Sequence, residues 1–188
     1  MSGWTLPTTV EIGGQVYGIH TDFRDILDIM EHMQDPDTPE FVRWYTALAL
    51  FYEDFGTMPP AERATAMERL CWFIRGGQEE DSKQADAPLL DWSQDCMAIV
   101  ADVNRVAGCE IRALEDLHWW TFLAWFNAVG EGQLSMLVGI RQKLRKGKKL
   151  EKWEQEYDRA NKSRVDLKKR YSAEEQAEQE RLRKMLGE

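Results

Sequence analysis

The most apolar stretch of the chain is LHWWTFLAWFNAV, residues 117–129. Five aromatic side chains crowd into it: Trp119, Trp120, Phe122, Trp125 and Phe126. Five are too many for one apolar stripe at 3.6 residues per turn, so a helix here has no fully polar side. We therefore expect this helix to be nearly enclosed by other elements or to meet a partner protein.

Segments with the apolar period of amphipathic helices lie on both sides of this stretch. Apolar side chains recur at spacings of three and four in residues 23–33, 40–55, 61–74, 91–106 and 134–145. Prolines or glycines follow most of these segments, and both residue types end helices. In the second segment, the stripe predicted to face the core consists of Phe41, Tyr45, Leu48, Tyr52 and Phe55.

The N-terminal part of the chain predicts a small β-hairpin. TVEI (9–12) and QVYGI (15–19) are rich in strand formers and flank Gly13-Gly14, a two-residue turn that accepts positive φ. All these patterns together predict a mainly α fold: a bundle of about six or seven helices, a short N-terminal hairpin and a long C-terminal helical tail. We assign residues 1–145 to a helical body and residues 146–188 to a charged tail.

Residues 76–88 are acidic and have no apolar period, which predicts a flexible loop between two helices.

The sequence also bears on the cellular compartment. The N-terminal MSGWTLPTT resembles no secretion signal, and no run approaches the roughly 18 apolar residues of a membrane helix. Cys71, Cys96 and Cys109 form no C-x-x-C pair and are interpreted as reduced core thiols. We expect a cytoplasmic protein with no membrane partner.

Charge is distributed unevenly along the chain. Residues 1–140 hold 8 Lys and Arg against 23 Asp and Glu, whereas residues 141–188 hold 16 against 10. A basic arm can bind nucleic acid, and seven of the twelve residues 141–152 are basic. Acidic side chains follow them closely and the net charge of the chain is −9, so a solvated helix face is the preferred interpretation over nucleic-acid binding through residues 141–170.

The sequence offers no constellation for catalysis, and neither a cofactor nor a metal is expected. His20, His32 and His118 are scattered without the spacing of zinc ligands, and there is no Gly-rich phosphate loop. His118, beside two tryptophans, is interpreted as a residue that hydrogen-bonds a neighbour. We therefore predict that the protein is not an enzyme.

The C-terminal tail shows a narrow helical seam. Its members are Trp153, Tyr157, Ala160, Arg164 and Leu167. A stripe one residue wide does not hold a helix in water, so the tail must dock on the body, pair with another copy or wait for a client helix. From this we expect that removing residues 146–188 leaves a folded body. Beyond the seam, Ser172 and Glu175 predict a capping box that starts a polar helix reaching Leu186.

Several pieces of the sequence, in their order along the chain, resemble the bacteriophage gene product fifteen family. They are Asp22-Phe23-Arg24 after the hairpin, Asp95, His118-Trp119-Trp120-x-Phe122, Ile140-Arg141, and Trp153-Glu154 with Tyr157. The resemblance spans about residues 6–167. It departs from the family pattern at AGCEI (107–111), and the tail after Tyr171 has no clear counterpart.

The resemblance implies a role in building a phage tail, because the family is encoded just upstream of the tape-measure gene. By analogy with tail assembly chaperones, it implies a protein that keeps the tape-measure protein, or tail tube subunits, soluble in the host cytoplasm during assembly. The alternative is a structural or tail-completion component of the virion, and a homo-oligomer is also possible. The candidate partner-binding residues are Trp119, Trp120, Phe122, Arg141, Trp153 and Tyr157.

Overall fold

The structure, a computed structural model, describes residues 4–78 and 88–186 of the chain. Within them, a hairpin precedes nine α-helices, so the predicted mainly α fold with an N-terminal hairpin is confirmed. The elements are β1 Thr9–Ile12, β2 Gln15–Gly18, α1 Phe23–Met33, α2 Glu40–Phe51, α3 Arg63–Ile74, α4 Cys96–Ala107, α5 Trp119–Asn127, α6 Gln133–Arg145, α7 Lys152–Ala160, α8 Lys162–Val165 and α9 Ala173–Leu186. The loop predicted at residues 76–88 falls for the most part outside the described residues.

The chain forms two compact units. The first combines the chain up to Pro7, Thr21–Phe23 and the described part of Cys71–Lys168. The second combines Thr8–His20, Arg24–Leu70 and the chain from Lys169 onward. We predicted a boundary between body and tail after residue 145. Residues 146–168 belong to the same compact unit as α4, α5 and α6. Whether the body folds without residues 146–188 stays a prediction.

In the second unit, the predicted hairpin is confirmed. β1 and β2 pair antiparallel, with Ile12 opposite Gln15 across the turn. Both turn residues have positive φ, 59° at Gly13 and 83° at Gly14, which is the geometry of a tight two-residue hairpin turn and favours glycine. The segment that follows the hairpin is bonded to the end of α2. The His20 backbone N–H donates to the Phe51 carbonyl at 2.9 Å.

The predicted stripe is buried in its second half only. Leu48, Tyr52 and Phe55 are buried as predicted, whereas Phe41 is 76% exposed and Tyr45 is 52% exposed. Ala47 and Phe51, which the prediction did not include, are also buried. The helix also ends at Phe51, because Tyr52 turns to an extended conformation before the 3-10 helix Phe55–Thr57. Apolar side chains lie on more than one side of this helix, so their period alone does not show which side faces the core.

In the first unit, α5 contributes its largest side chains to the core. Trp119 is 1% exposed and its indole N–H donates to the Ile74 carbonyl at 2.9 Å. Phe122 is equally buried, and its ring stacks on Phe23 with centroids 4.9 Å apart. Trp119 and Phe122 therefore form part of the core of the first unit, which is the first of the two roles that we expected for this helix.

The C-terminal region is not one long helix with a continuous seam. α7 and α8 are short and separate, and Trp153, Ala160 and Arg164 of the predicted seam are exposed. The residues that this region buries are instead Leu150, Glu154 and Val165. The predicted capping box is confirmed farther along.

That capping box has both of its hydrogen bonds. The Ser172 backbone N–H donates to Glu175 at 2.9 Å, and the Glu175 N–H donates to the Ser172 hydroxyl at 3.2 Å.

The interpretation of the cysteines as core thiols is wrong for two of them. Cys96 and Cys109 are exposed, and only Cys71 is partly buried. In the described part of the chain, no helix has the length and apolar character needed to cross a membrane.

Candidate functional site

The tryptophan-rich start of α5 is organised around His118, which caps the helix. The His118 Nδ1 accepts from the Trp120 backbone N–H at 3.0 Å, and its Nε2 lies 3.0 Å from the Pro7 carbonyl oxygen. Both contacts are satisfied when the proton is on Nε2, which then donates to Pro7. The side chain is buried. The expectation that His118 hydrogen-bonds its neighbours is confirmed.

The α5 candidates for partner binding have different environments. Trp119 and Phe122 are enclosed, so the structure gives them no surface that a partner could reach. Trp120 is partly exposed and its indole N–H donates to the Phe73 carbonyl at 2.9 Å. Its ring lies so close to Gly77, where φ is 82°, that a Cβ there would come within 2.7 Å. Partner binding at Trp120 stays a prediction.

Arg141 is an internal residue and not part of a basic surface. Its side chain is 4% exposed and forms a forked ion pair with Asp95, with N–O distances of 2.6 and 2.8 Å. It also donates to the backbone carbonyls of Leu89, Arg164 and Val165 at 2.6–2.9 Å. All five guanidinium N–H groups are thereby used. A partner therefore has no access to this candidate.

The two remaining candidates lie on α7. Trp153 is 50% exposed, and its indole N–H donates to Glu151 at 2.9 Å. Tyr157 is partly buried. Both keep surface that a partner could contact, so partner binding at these positions stays a prediction.

A buried carboxylate links α6 to α7 and removes a second basic residue from the predicted basic arm. Lys143 donates to Glu154 at 2.6 Å, and the Glu151 backbone N–H donates to the other oxygen of Glu154 at 2.8 Å. The Lys143 ammonium, followed by that backbone N–H, lowers the pKa of Glu154 from its usual 4.5. With Arg141 and Lys143 engaged inside the chain, the basic stripe of residues 141–152 is interrupted.

The Glu154 pair has a testable pH dependence. A carboxyl group whose pKa is lowered by folding contributes stability above its unfolded pKa and loses it as the pH falls through the folded pKa. Glu154→Gln is therefore expected to be less stable than the parent at pH 7, with a difference that shrinks as the pH falls below the usual 4.5. Urea unfolding across that pH range measures it. Glu156→Gln, on an exposed part of α7, is the control, and a pH-independent difference for Glu154→Gln would contradict the assignment.

Metal chemistry finds no support in the geometry. In residues 4–78 and 88–186, no group of three or more His, Cys, Asp or Glu side chains is placed to hold a metal ion. The acidic residues 79–81 lie outside the part of the chain that the structure describes.

The second unit has an apolar groove between α2 and α3, which the sequence interpretation missed. Its volume is about 480 Å³. We call it the α2–α3 groove, and its lining residues are Glu40, Phe41, Trp44, Tyr45, Leu48, Arg63 and Met67. The available signal was the spacing of Phe41 and Tyr45 at four residues, which was assigned to the core, while Trp44 beside them was assigned to no face.

Arg63 gives this groove a single positive charge among aromatic rings. Its guanidinium carbon lies 5.4 Å from the Tyr45 ring centroid and 5.3 Å from that of Phe55. The two rings meet edge to face at 5.0 Å. The Nε of Arg63 is buried and has no hydrogen-bond partner among the described residues. The groove can therefore accept apolar side chains together with one acidic group.

Comparison with known proteins identifies a family for the chain. A family model described as Bacteriophage Gp15 protein matches residues 4–167. No curated protein and no solved structure matches the chain. The matched region includes the α2–α3 groove and the Arg141–Asp95 pair, and it ends before α9.

Proposed function

Because the chain belongs to the bacteriophage Gp15 protein family, we propose that it is a non-enzymatic tail assembly chaperone that binds a helix of the tape-measure protein in the α2–α3 groove. Tail tube subunits are the alternative client. The observation that carries the proposal is the open aromatic groove, in which Phe41 is 76% exposed and Tyr45 is 52% exposed.

The lining of the groove fits an amphipathic helix. Grooves that bind such helices take apolar anchors spaced three, four and seven residues apart. Aromatic side chains such as Trp44 and Tyr45 supply much of the affinity in protein interfaces. Arg63 adds one positive charge beside the aromatic rings, which favours an acidic side chain of the client nearby. A long helical client that would otherwise aggregate offers surfaces of this kind.

The charge of the chain suits the same role. Its net charge of −9 keeps a complex with an apolar client dispersed by mutual repulsion. The proposal that the protein is not an enzyme is supported by the lack of a nucleophile–base pair in the sequence motifs and by the hydrogen bonding of His118, which occupies both ring nitrogens.

Co-expression with the tape-measure protein of the same phage tests the client assignment. Phe41→Asp is expected to weaken binding of the tape-measure protein by about thirtyfold, because an aromatic anchor contributes roughly 2 kcal/mol, and so to lower the soluble fraction of that protein. The variant should fold normally, since Phe41 is exposed in the first turn of α2, where an acidic side chain is favourable. Met97→Asp, also at an exposed apolar helix position, is the matched control and should keep the client soluble.

The outcome separates the proposed role from its alternatives. Equal solubility of the tape-measure protein with Phe41→Asp and with the parent would reject the groove as its binding site. Mass spectrometry of purified virions tests the role itself. Abundant copies in mature tails would favour a structural or tail-completion component over a chaperone.

A further inference from the structure

The α2–α3 groove contains two charged side chains of opposite sign that have no charged partner in the fold. Glu40 is the first residue of α2 and Arg63 is the first residue of α3. Both line the groove. Among the residues that the structure describes, neither side chain forms a hydrogen bond or an ion pair. The groove therefore offers one negative and one positive charge to a molecule that binds in it.

The surroundings of Arg63 do not explain it as a residue that stabilises the fold. Its Nε is buried without an acceptor in the described part of the chain, and a donor in this state lowers stability. The cation–π contacts with Tyr45 and Phe55 offset part of that cost. Buried polar groups without a partner in the fold are expected mainly at functional sites. We therefore interpret Arg63 as a binding residue of the groove.

The terminal nitrogens of Arg63 are the part of this side chain that a partner can reach. They form no hydrogen bond with a described residue, and unlike Nε they are not buried. The terminal N–H groups of a guanidinium bind a carboxylate through two parallel hydrogen bonds. The groove therefore favours an acidic side chain beside Arg63.

The two charges lie at different positions along α2. Glu40 and Tyr45 are five residues apart, which corresponds to about 7.5 Å along a helix axis. The guanidinium carbon of Arg63 is 5.4 Å from the Tyr45 ring centroid, so the positive charge lies beside Tyr45. On a bound helix, side chains three or four residues apart share one side and are separated by about 4.5–6 Å along the axis. A basic and an acidic side chain one turn apart can therefore meet both charges.

We propose that Glu40 and Arg63 select the client helix and fix its direction. A basic side chain of the client pairs with Glu40, and an acidic side chain one turn away pairs with Arg63. The apolar side chains on the same side of the client contact the aromatic lining of the groove. A helix that enters in the opposite direction places like charges together, which weakens its binding. This inference rests on the proposed function, because the client is the same tape-measure helix.

Overlapping synthetic peptides that cover the tape-measure protein of the same phage are the probe, and fluorescence anisotropy measures their affinity for the full chain. The tightest peptide is expected to carry an acidic and a basic residue three or four positions apart on its apolar side. Arg63→Gln should weaken its binding by about fivefold, as for an ion pair at a partly exposed position. Arg69→Gln, at an exposed position of α3 outside the groove, is the matched control and should bind as the parent does.

Substitutions in the peptide show which charges meet. Gln in place of the acidic residue of the peptide should cost as much affinity as Arg63→Gln, and the two changes together should cost no more than either alone. The basic residue of the peptide should couple to Glu40→Gln in the same way. Arg63→Glu should weaken binding by about tenfold or more, and Lys in place of the acidic residue should restore most of that loss.

The outcomes separate this inference from the function on which it rests. An unchanged affinity of Arg63→Gln, or additive losses in either pair of substitutions, would overturn the inference. Circular dichroism of Arg63→Gln should match the parent, since no hydrogen bond or ion pair of the fold is lost. If Phe41→Asp weakens peptide binding while Arg63→Gln and Glu40→Gln do not, the charge selection is wrong and the proposed function stands. If no peptide binds the parent, both are wrong.

Discussion

Asp95→Ala is expected to lower the free energy of unfolding by about 3–5 kcal/mol, the usual cost of breaking a buried ion pair from one side. The substitution leaves the Arg141 guanidinium buried, at 4% side-chain exposure, without the carboxylate that neutralises it. It also removes the acceptor of the Asp91 backbone N–H, bonded at 3.0 Å. In a thermal melt followed by circular dichroism, this loss corresponds to a fall in Tm of roughly 10 °C.

Two further variants isolate the cause of that loss. Asp166→Ala is the matched control, because Asp166 pairs with Lys162 on the surface and is 56% exposed, so little change is expected. Asp95→Leu combined with Arg141→Met should lose less stability than the two single changes added together, because no buried charge is left unpaired. If Asp95→Ala has the same melting temperature as the parent, the pair between Asp95 and Arg141 is not buried in solution.

The positions of α1, α3 and α6 could be predicted from the sequence, because local signals define them, whereas α2 ends before the predicted residue 55 and α4 begins after the predicted residue 91. The segment predicted at residues 134–145 is observed as Gln133–Arg145, and the first helix begins and ends where it was expected. Helical period, glycines, prolines and capping residues act within a few positions of one another. The hairpin follows from Gly13 and Gly14 for the same reason.

The choice of buried face could not be predicted for α2. Its apolar side chains surround much of the helix, and burial of Phe51 instead of Tyr45 depends on contacts with distant segments. Arg141 shows the same limit. It occurs within a basic run, and its partner Asp95 lies 46 positions earlier in the chain. Only the fold brings the two together, so the residue was assigned to a surface.

The candidate site was missed for a related reason. Phe41 and Tyr45 have the spacing of a core stripe, and a core stripe and an open groove have the same helical period. What separates them is exposure, which is a property of the assembled unit. Trp119 and Phe122 show the opposite case. They lie in an aromatic-rich segment that would also suit an interface, but both side chains are buried in the core.

Two truncated chains that differ by 23 residues are expected to fold differently. A chain ended after Lys168 keeps the first unit intact, so it should lose only the helical signal of α9 and keep the melting temperature of the parent. A chain ended after Arg145 should lose much of both and tend to precipitate. From the sequence alone we expected this shorter chain to fold, because we interpreted residues 146–188 as a separable tail.

The contacts of residues 150–168 explain the expected difference. Ending the chain at Arg145 removes the Arg164 and Val165 carbonyls that accept from Arg141, which leaves two of the bonds of a buried cation unmade. It also removes Leu150 and Val165, both buried, from the apolar core. Circular dichroism per residue and the steepness of the melt measure the outcome. If the shorter chain melts as sharply as the chain ended after Lys168, residues 146–168 are dispensable for folding and the buried cation tolerates water in place of these carbonyls.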